Sequence, residues 1–129
     1  MSTRDVTGKV GKIIGIGVDI ERVSRFQKSK MSASLLTRIL TEKERKYCYS
    51  QPHPEQHIAV RFAAKEAIIK ALGESGRDVA LVRDLSHIEI LRSKKGVPQV
   101  RLPAYKGIRA HVSLSHTKGY ALAFAVITL

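Results

Sequence analysis

From Lys12 the chain opens with IIGIGVDI, a short apolar and β-branched run that reads as a buried strand. Gly15 and Gly17 mark close backbone approach or a bend within it, and Asp19 closes it. From Ile20 the spacing changes. Ile20, Val23 and Phe26 recur at threes, which predicts a helix directly after the strand, carrying Arg22, Arg25 and Lys28 outward. SASLLTRILTEKERKYCYS reads as a turn or two of helix, a break at Thr41 and a second helix, with Thr41 and Glu44 spaced as a capping box. Pro52 and Pro54 cannot continue that helix, so QPHPEQH is expected to be a loop. IAVRFAAKEAIIKALG carries the strongest helical pattern in the chain and ends at Gly73, a residue suited to a left-handed terminus. The period then shifts. LSHIEILR, VPQVRLP, AHVSLSH and YALAFAVITL alternate or run apolar between KKG, AYKG and TKG turns, and predict four antiparallel strands. Strand, helices, long central helix and a group of strands make an α+β fold rather than an alternating α/β one.

Composition bounds this picture. With 129 residues, 43% of them apolar, the chain is one domain over residues 1–129, of which 1–11 are polar, aperiodic and expected to be a flexible leader. It contains no continuous apolar stretch long enough for a membrane span and no apolar stretch near its start, so a soluble, cytoplasmic protein is expected. A single cysteine, Cys48, makes no internal disulfide, and YCYS offers no histidine or cation to activate it as a nucleophile.

A formal net charge of +12 calls for an anionic partner: nucleic acid, anionic lipid, a phosphate-rich small molecule or an acidic protein. Several templates fail. There is no Gly-rich loop with a Lys-Ser or Lys-Thr end, no zinc spacing, and no nucleophile elbow around Ser113 or Ser115. No Trp, three Phe and four Tyr, without an RNA-binding signature, leave nucleic acid as a second class resting on charge alone.

The central helix is apolar around most of its circumference yet carries Arg61, Lys65, Glu66 and Lys70, and buried charge is costly without partners. Glu66 and Lys70 stand four apart, as a plain intrahelical pair or as part of a site. Asp19 either caps a helix or ligates a cation. Two hard oxygen ligands, Asp19 and Glu66, in segments expected to pack together suit magnesium, which takes one or two carboxylates plus water and phosphate oxygens. His116, at the end of SLSH, is a candidate phosphate donor or proton carrier.

GIGVDIERVSRF, RILTEKE, RFAAKEAIIKALG, KGVP and SLSHTKGYALAFAV occur here in the order found in holo-acyl-carrier-protein synthases, and the chain resembles that family of 4′-phosphopantetheinyl transferases over roughly residues 12 to 127. The resemblance implies a small antiparallel sheet packed with a long central helix, assembled as a homotrimer with sites between subunits. It implies that Asp19 and Glu66 bind magnesium and that coenzyme A donates its phosphopantetheine arm to a serine of an acidic acyl carrier protein in fatty acid biosynthesis, with neither nucleic acid nor membrane as partner. Glu66, Lys70 and His116 would be catalytic, Arg61, Lys70, Gly73 and His116 would hold coenzyme A, and Arg22, Arg25 and Lys28 would face the carrier. Two departures bear on this. The family often has an acid three residues after the metal aspartate, where this chain has Glu21 at two and Arg22 at three, which touches the outer shell of the metal site. QPHPEQH also lacks the basic residues some relatives place there, so grip on the 3′-phosphate is expected to shift to His53 or to another subunit.

Overall fold

The computed structural model describes residues 3–4 and 10–129. The expected leader lies largely outside the described residues; from it, β1 (Thr3–Arg4) and β2 (Val10–Gly11) pair antiparallel. β3 (Ile13–Arg22) follows, then 3₁₀ turns over Val23–Phe26 and Lys28–Lys30, α1 (Ala33–Ile39), α2 (Glu42–Tyr49) and α3 (Pro54–Glu74). β4 (Glu89–Arg92) and β5 (Pro98–Arg101) form a hairpin, and β6 (Arg109–His116) and β7 (Tyr120–Thr128) join β3 in a sheet of order β3-β7-β6. All pairings are antiparallel. The α+β order holds, and the four expected strands are present, divided between hairpin and sheet.

Three boundaries differ from expectation. No helix starts at Ile20: β3 continues through Asp19 to Arg22, and only one 3₁₀ turn follows. Ile20 belongs to the strand alternation Ile16, Val18, Ile20, whose apolar members happen to lead into Val23 and Phe26 at helical spacing. At the second boundary α3 begins at Pro54, where a missing N–H costs nothing because the first helical turn has no partner for it. That helix also passes through Gly73 to Glu74, and the left-handed position falls to Gly76 at φ 85°. Thr41 and Glu44 do form the expected capping box.

Small residues set the distance between sheet and helix. Ala121, Ala123 and Ala125 of β7 and Ala63, Ala64, Ala67 and Ala71 of α3 are buried against one another in the core. Gly15 and Gly17 go further: a Cβ built on either would lie 2.1 Å from the carbonyl oxygen of Ala71 or Ala67, so only glycine fits.

The charged middle of α3 is anchored from the other side. Lys65 is fully buried and spends its three donors on Glu44 Oε1 (2.7 Å) and the carbonyls of Ile39 (2.7 Å) and Leu85 (3.0 Å). Glu44 Oε2 accepts from the backbone N–H of Ile90 at 3.0 Å. One ion pair thereby ties α1, α2, the 85–87 turn and β4 to the central helix.

Among the described residues nothing covers the opposite face of the sheet. Ile16, Val18 and Ile20 of β3 and Leu122 and Phe124 of β7 are 41–61% exposed, and the register sets Val18 beside Phe124 and Ile20 beside Leu122.

Candidate active site

Strand parity puts Asp19 and Glu21 on the face of β3 that meets α3, alongside Gly15 and Gly17. On α3, Glu66 and Lys70 lie about 40° apart on the flank toward that strand. Lys70 turns away from the simple intrahelical pairing: its Nζ donates to Asp19 Oδ1 at 3.2 Å and to the Val18 carbonyl at 3.0 Å. Arg25 reaches back from the 3₁₀ turn to Glu21, donating at 2.8 Å, and its guanidinium lies 4.9 Å from the Phe62 ring centroid. The expected strand–helix convergence of Asp19, Glu66 and Lys70 is present.

Three carboxylates share this flank with only Lys70 and Arg25 as close cations. Burial, then the Asp19 charge, push the Glu66 carboxyl above its usual range. Glu21 is raised to about 7 by burial and by contact with Asp19, against the pull of Arg25. Asp19 Oδ2 is buried without a hydrogen-bond partner. A buried carboxylate oxygen with no donor is an open ligand position, so these residues fit a hard divalent cation. Among the described residues no three such side chains converge into a ready-made metal cage. Such a pair of carboxylates suits a cation of the magnesium kind, which takes few protein ligands and fills the rest of its shell with water and phosphate. Glu21 was legible only as a departure from the family spacing; once β3 runs on, alternation places it beside Asp19.

Arg61 and His116 are elsewhere. Arg61 is about 180° around α3 from Lys70, facing β4 and β6, and with His116 it lines a cavity of about 350 Å³ that also takes in Arg92, Gly96 and Pro98. Arg61 is only 3% exposed, donates to the His57 carbonyl at 3.3 Å, stacks 4.7 Å over Tyr47, and leaves its Nε unpartnered. Arg92 covers the same ring at 5.8 Å. Among the described residues no acidic side chain lines this cavity. Arg92, Tyr47 and His57 were absent from the sequence reading, which had no local signal for a cluster gathered from α2, α3, β4 and β6.

The remaining expected residues scatter. Gly73 lies exposed in the last turn of α3, on the Lys70 side. Arg22 points to the outer sheet face, 5.9 Å over Tyr120, and shares with His53 and Lys118 a cavity separate from that of Arg61. Lys28 edges a shallow apolar pocket with Met31 and Tyr49. Arg22, Arg25 and Lys28 thus share no helix face. Arg25 instead joins Lys30, Arg38 and Arg83 around a groove of about 420 Å³ floored by Phe26, Leu35, Ile39 and Phe62. Cys48 is buried, which pushes its thiol up to about 11. Among the described residues no helix is long and apolar enough to cross a membrane.

A small antiparallel sheet, a long central helix, a carboxylate–lysine group on one flank and an acid-free cationic cavity on the other define a transferase that handles phosphate groups. The family model of the 4′-phosphopantetheinyl transferase superfamily matches residues 15–125, and the chain belongs to that superfamily. It is 40% identical over 118 residues to a holo-[acyl-carrier-protein] synthase of Thermodesulfovibrio yellowstonii, covering 90% of this chain and 99% of the relative. Its fold is similar to that of a holo-(acyl-carrier-protein) synthase from Bacillus anthracis solved in complex with coenzyme A (3′,5′-ADP), with TM-score 0.75, 32% identity and coverage of 90% and 96% of the two chains. It is likewise similar to the Helicobacter pylori enzyme in complex with coenzyme A, with TM-score 0.70, 31% identity and coverage of 87% and 98%.

Proposed function

We propose that this enzyme transfers the 4′-phosphopantetheine arm of coenzyme A to a serine of an apo acyl carrier protein, with magnesium, releasing 3′,5′-ADP. The observation that carries the reading is the open, buried Oδ2 of Asp19 beside Glu66 and Lys70. Asp19 and Glu66 would hold the magnesium, and the chemistry a bound magnesium supplies is neutralisation of the charge that develops on the pyrophosphate. Lys70, held by Asp19 and the Val18 carbonyl, points a cation at the same phosphates. Glu66, its carboxyl raised by burial and by the Asp19 charge, accepts the serine proton as the hydroxyl attacks the β-phosphorus. Arg61 and His116 bind the nucleotide end in their cavity.

Arg61 and Lys70 stand on opposite sides of one helix, which supports an active site shared between copies, the carboxylate flank of one facing the cationic cavity of the next. The uncovered apolar sheet face supports a homotrimer as the assembly that brings them together. The basic rim and apolar floor of the Arg25 groove suit a helix of an acidic carrier protein, with charge steering the encounter. The relatives' names as acyl-carrier-protein synthases support a role in fatty acid biosynthesis, and a lone, buried thiol suits the reducing cytoplasm.

The test is the intact mass of an apo acyl carrier protein incubated with the enzyme, coenzyme A and magnesium. A gain on the order of 340 Da, the mass of the covalently added arm, absent with Asp19→Ala plus Glu66→Ala, is expected. A folded enzyme that adds no mass to any of several carriers would overturn the reading.

A further inference from the structure

His57 is a titratable side chain behind the cationic cavity to which the transfer chemistry above gives no part. It comes from the second turn of α3, its ring lies edge-on to Tyr47 of α2 at 5.6 Å between centroids, and its centroid is 6.0 Å from that of His116 on β6. His57 Nδ1 is buried and unpartnered, and so is Arg61 Nε one turn further along the same helix. The charged and titratable groups facing the ring are Arg61 and Glu55 from α3, Arg92 from β4, His116 from β6 and Tyr47 from α2. Three of those are cations or become so, and only Glu55 opposes them. Burial and those cations hold an imidazole so placed below its ordinary value while the cavity is empty, and one ring nitrogen is unsatisfied. An anion seated against Arg61, Arg92 and His116 reverses that balance, because it neutralises the cations that resist a further positive charge.

We propose that His57 and His116 form a proton-coupled anion site, in which entry of a phosphate monoester into the Arg61–Arg92 cavity draws one proton from solvent onto the imidazole pair. The proposal rests on the reading of that cavity as the nucleotide end of the coenzyme A site. His57 does not line the cavity; it acts through His116 and is a positioning residue. Coenzyme A carries one phosphate monoester, on its ribose, and a pyrophosphate that is already a diester. The monoester is the group whose charge changes near neutrality, with a second pKa of about 6, and imidazole is the side chain whose charge changes in the same range. The sign follows directly. Burial and the neighbouring cations hold His57 below its ordinary value in the empty protein, and a bound anion raises it. Between those two values binding takes up protons, and affinity rises as pH falls, by up to about tenfold per pH unit for one linked proton.

The experiment is calorimetric titration of the magnesium-loaded protein with coenzyme A at pH 7 in two buffers of different ionisation enthalpy, repeated with 3′-dephospho-coenzyme A and with His57→Phe. Wild type is expected to take up a measurable fraction of a proton with coenzyme A and close to none with the dephospho compound. His57→Phe should still bind coenzyme A, with the uptake cut by at least half. His57→Gln serves as the second variant if His57→Phe does not fold. Equal uptake in wild type and variant, or equal uptake with both ligands, would overturn the proposal while leaving the transferase reading intact. No binding of coenzyme A to folded wild type would overturn both.

Discussion

The two flanks of α3 are built from one helix yet solve opposite electrostatic problems. Toward β3, three carboxylates share one flank with few cations, and burial, then the Asp19 carboxylate, raises two of them. Toward β4 and β6, arginines and histidines gather with no acid lining their cavity. On the proposed reading, a molecule that needs both a divalent cation and a seat for phosphate would use opposite sides of the helix. The difference teaches that excess charge of each sign marks a candidate place for a ligand of the other sign.

The largest effect should come from the acidic flank. Asp19→Asn or Glu66→Gln is expected to lower kcat by about 10³-fold or more, in the range seen when a group that stabilises transition-state charge is removed. A loss confined to KM for coenzyme A in a carrier-modification assay would place these carboxylates in binding only. Lys65→Met strikes beneath both flanks: it leaves Glu44 buried without its ammonium and should cost about 3–5 kcal/mol in chemical denaturation. On the cationic side, Arg61→Ala should raise KM for coenzyme A by about 10–100-fold while kcat changes less, as expected for a charged ligand contact worth about 1.5–3 kcal/mol. Val18→Asp, which sets a charge into the uncovered sheet face, should convert the assembly to monomer in light scattering and reduce activity with it; an active monomer would break the shared-site reading.

The smallest effect separates the flanks by pH. Glu66 is raised in the fold, so the folded protein binds that proton more tightly than the unfolded chain. Its contribution to stability is present below the ordinary carboxylate range and is lost as pH rises through the raised value. Without divalent ions Tm should therefore fall as pH rises through that window, and magnesium should restore it by a few degrees in wild type but not in Asp19→Asn.

Local pattern revealed some of this and hid the rest for identifiable reasons. The 3.6 period of α3 and the Thr41–Glu44 spacing are interactions within one helix, and both are present as expected. The strand end was misread because the outward positions of β3 are apolar, which let Ile20 pass for the first residue of a helix. An exposed strand face normally alternates to polar residues; this one does not, and its apolar choice is what the proposed contact between copies would use. Glu44 shows a second limit. Its cap to Thr41 was readable, whereas its pairing with Lys65, 21 residues on, required the tertiary fold. Arg61 and Lys70 both belong to the family signature, and only the helix wheel separates them to opposite sides. Arg22, Arg25 and Lys28 were grouped by spacing along a helix that does not form.

The uncovered sheet face also bears on how the protein is made. Each new chain emerges with an apolar β3–β7 surface open to solvent and with β3 and β6 as free sheet edges, the combination that invites edge-to-edge association. Productive encounter between copies then competes with clumping during synthesis. Low temperature and slow induction should improve recovery by favouring the first route, and the soluble fraction should gain more from a polar substitution at Ile20 or Phe124 than from any change on the basic surface.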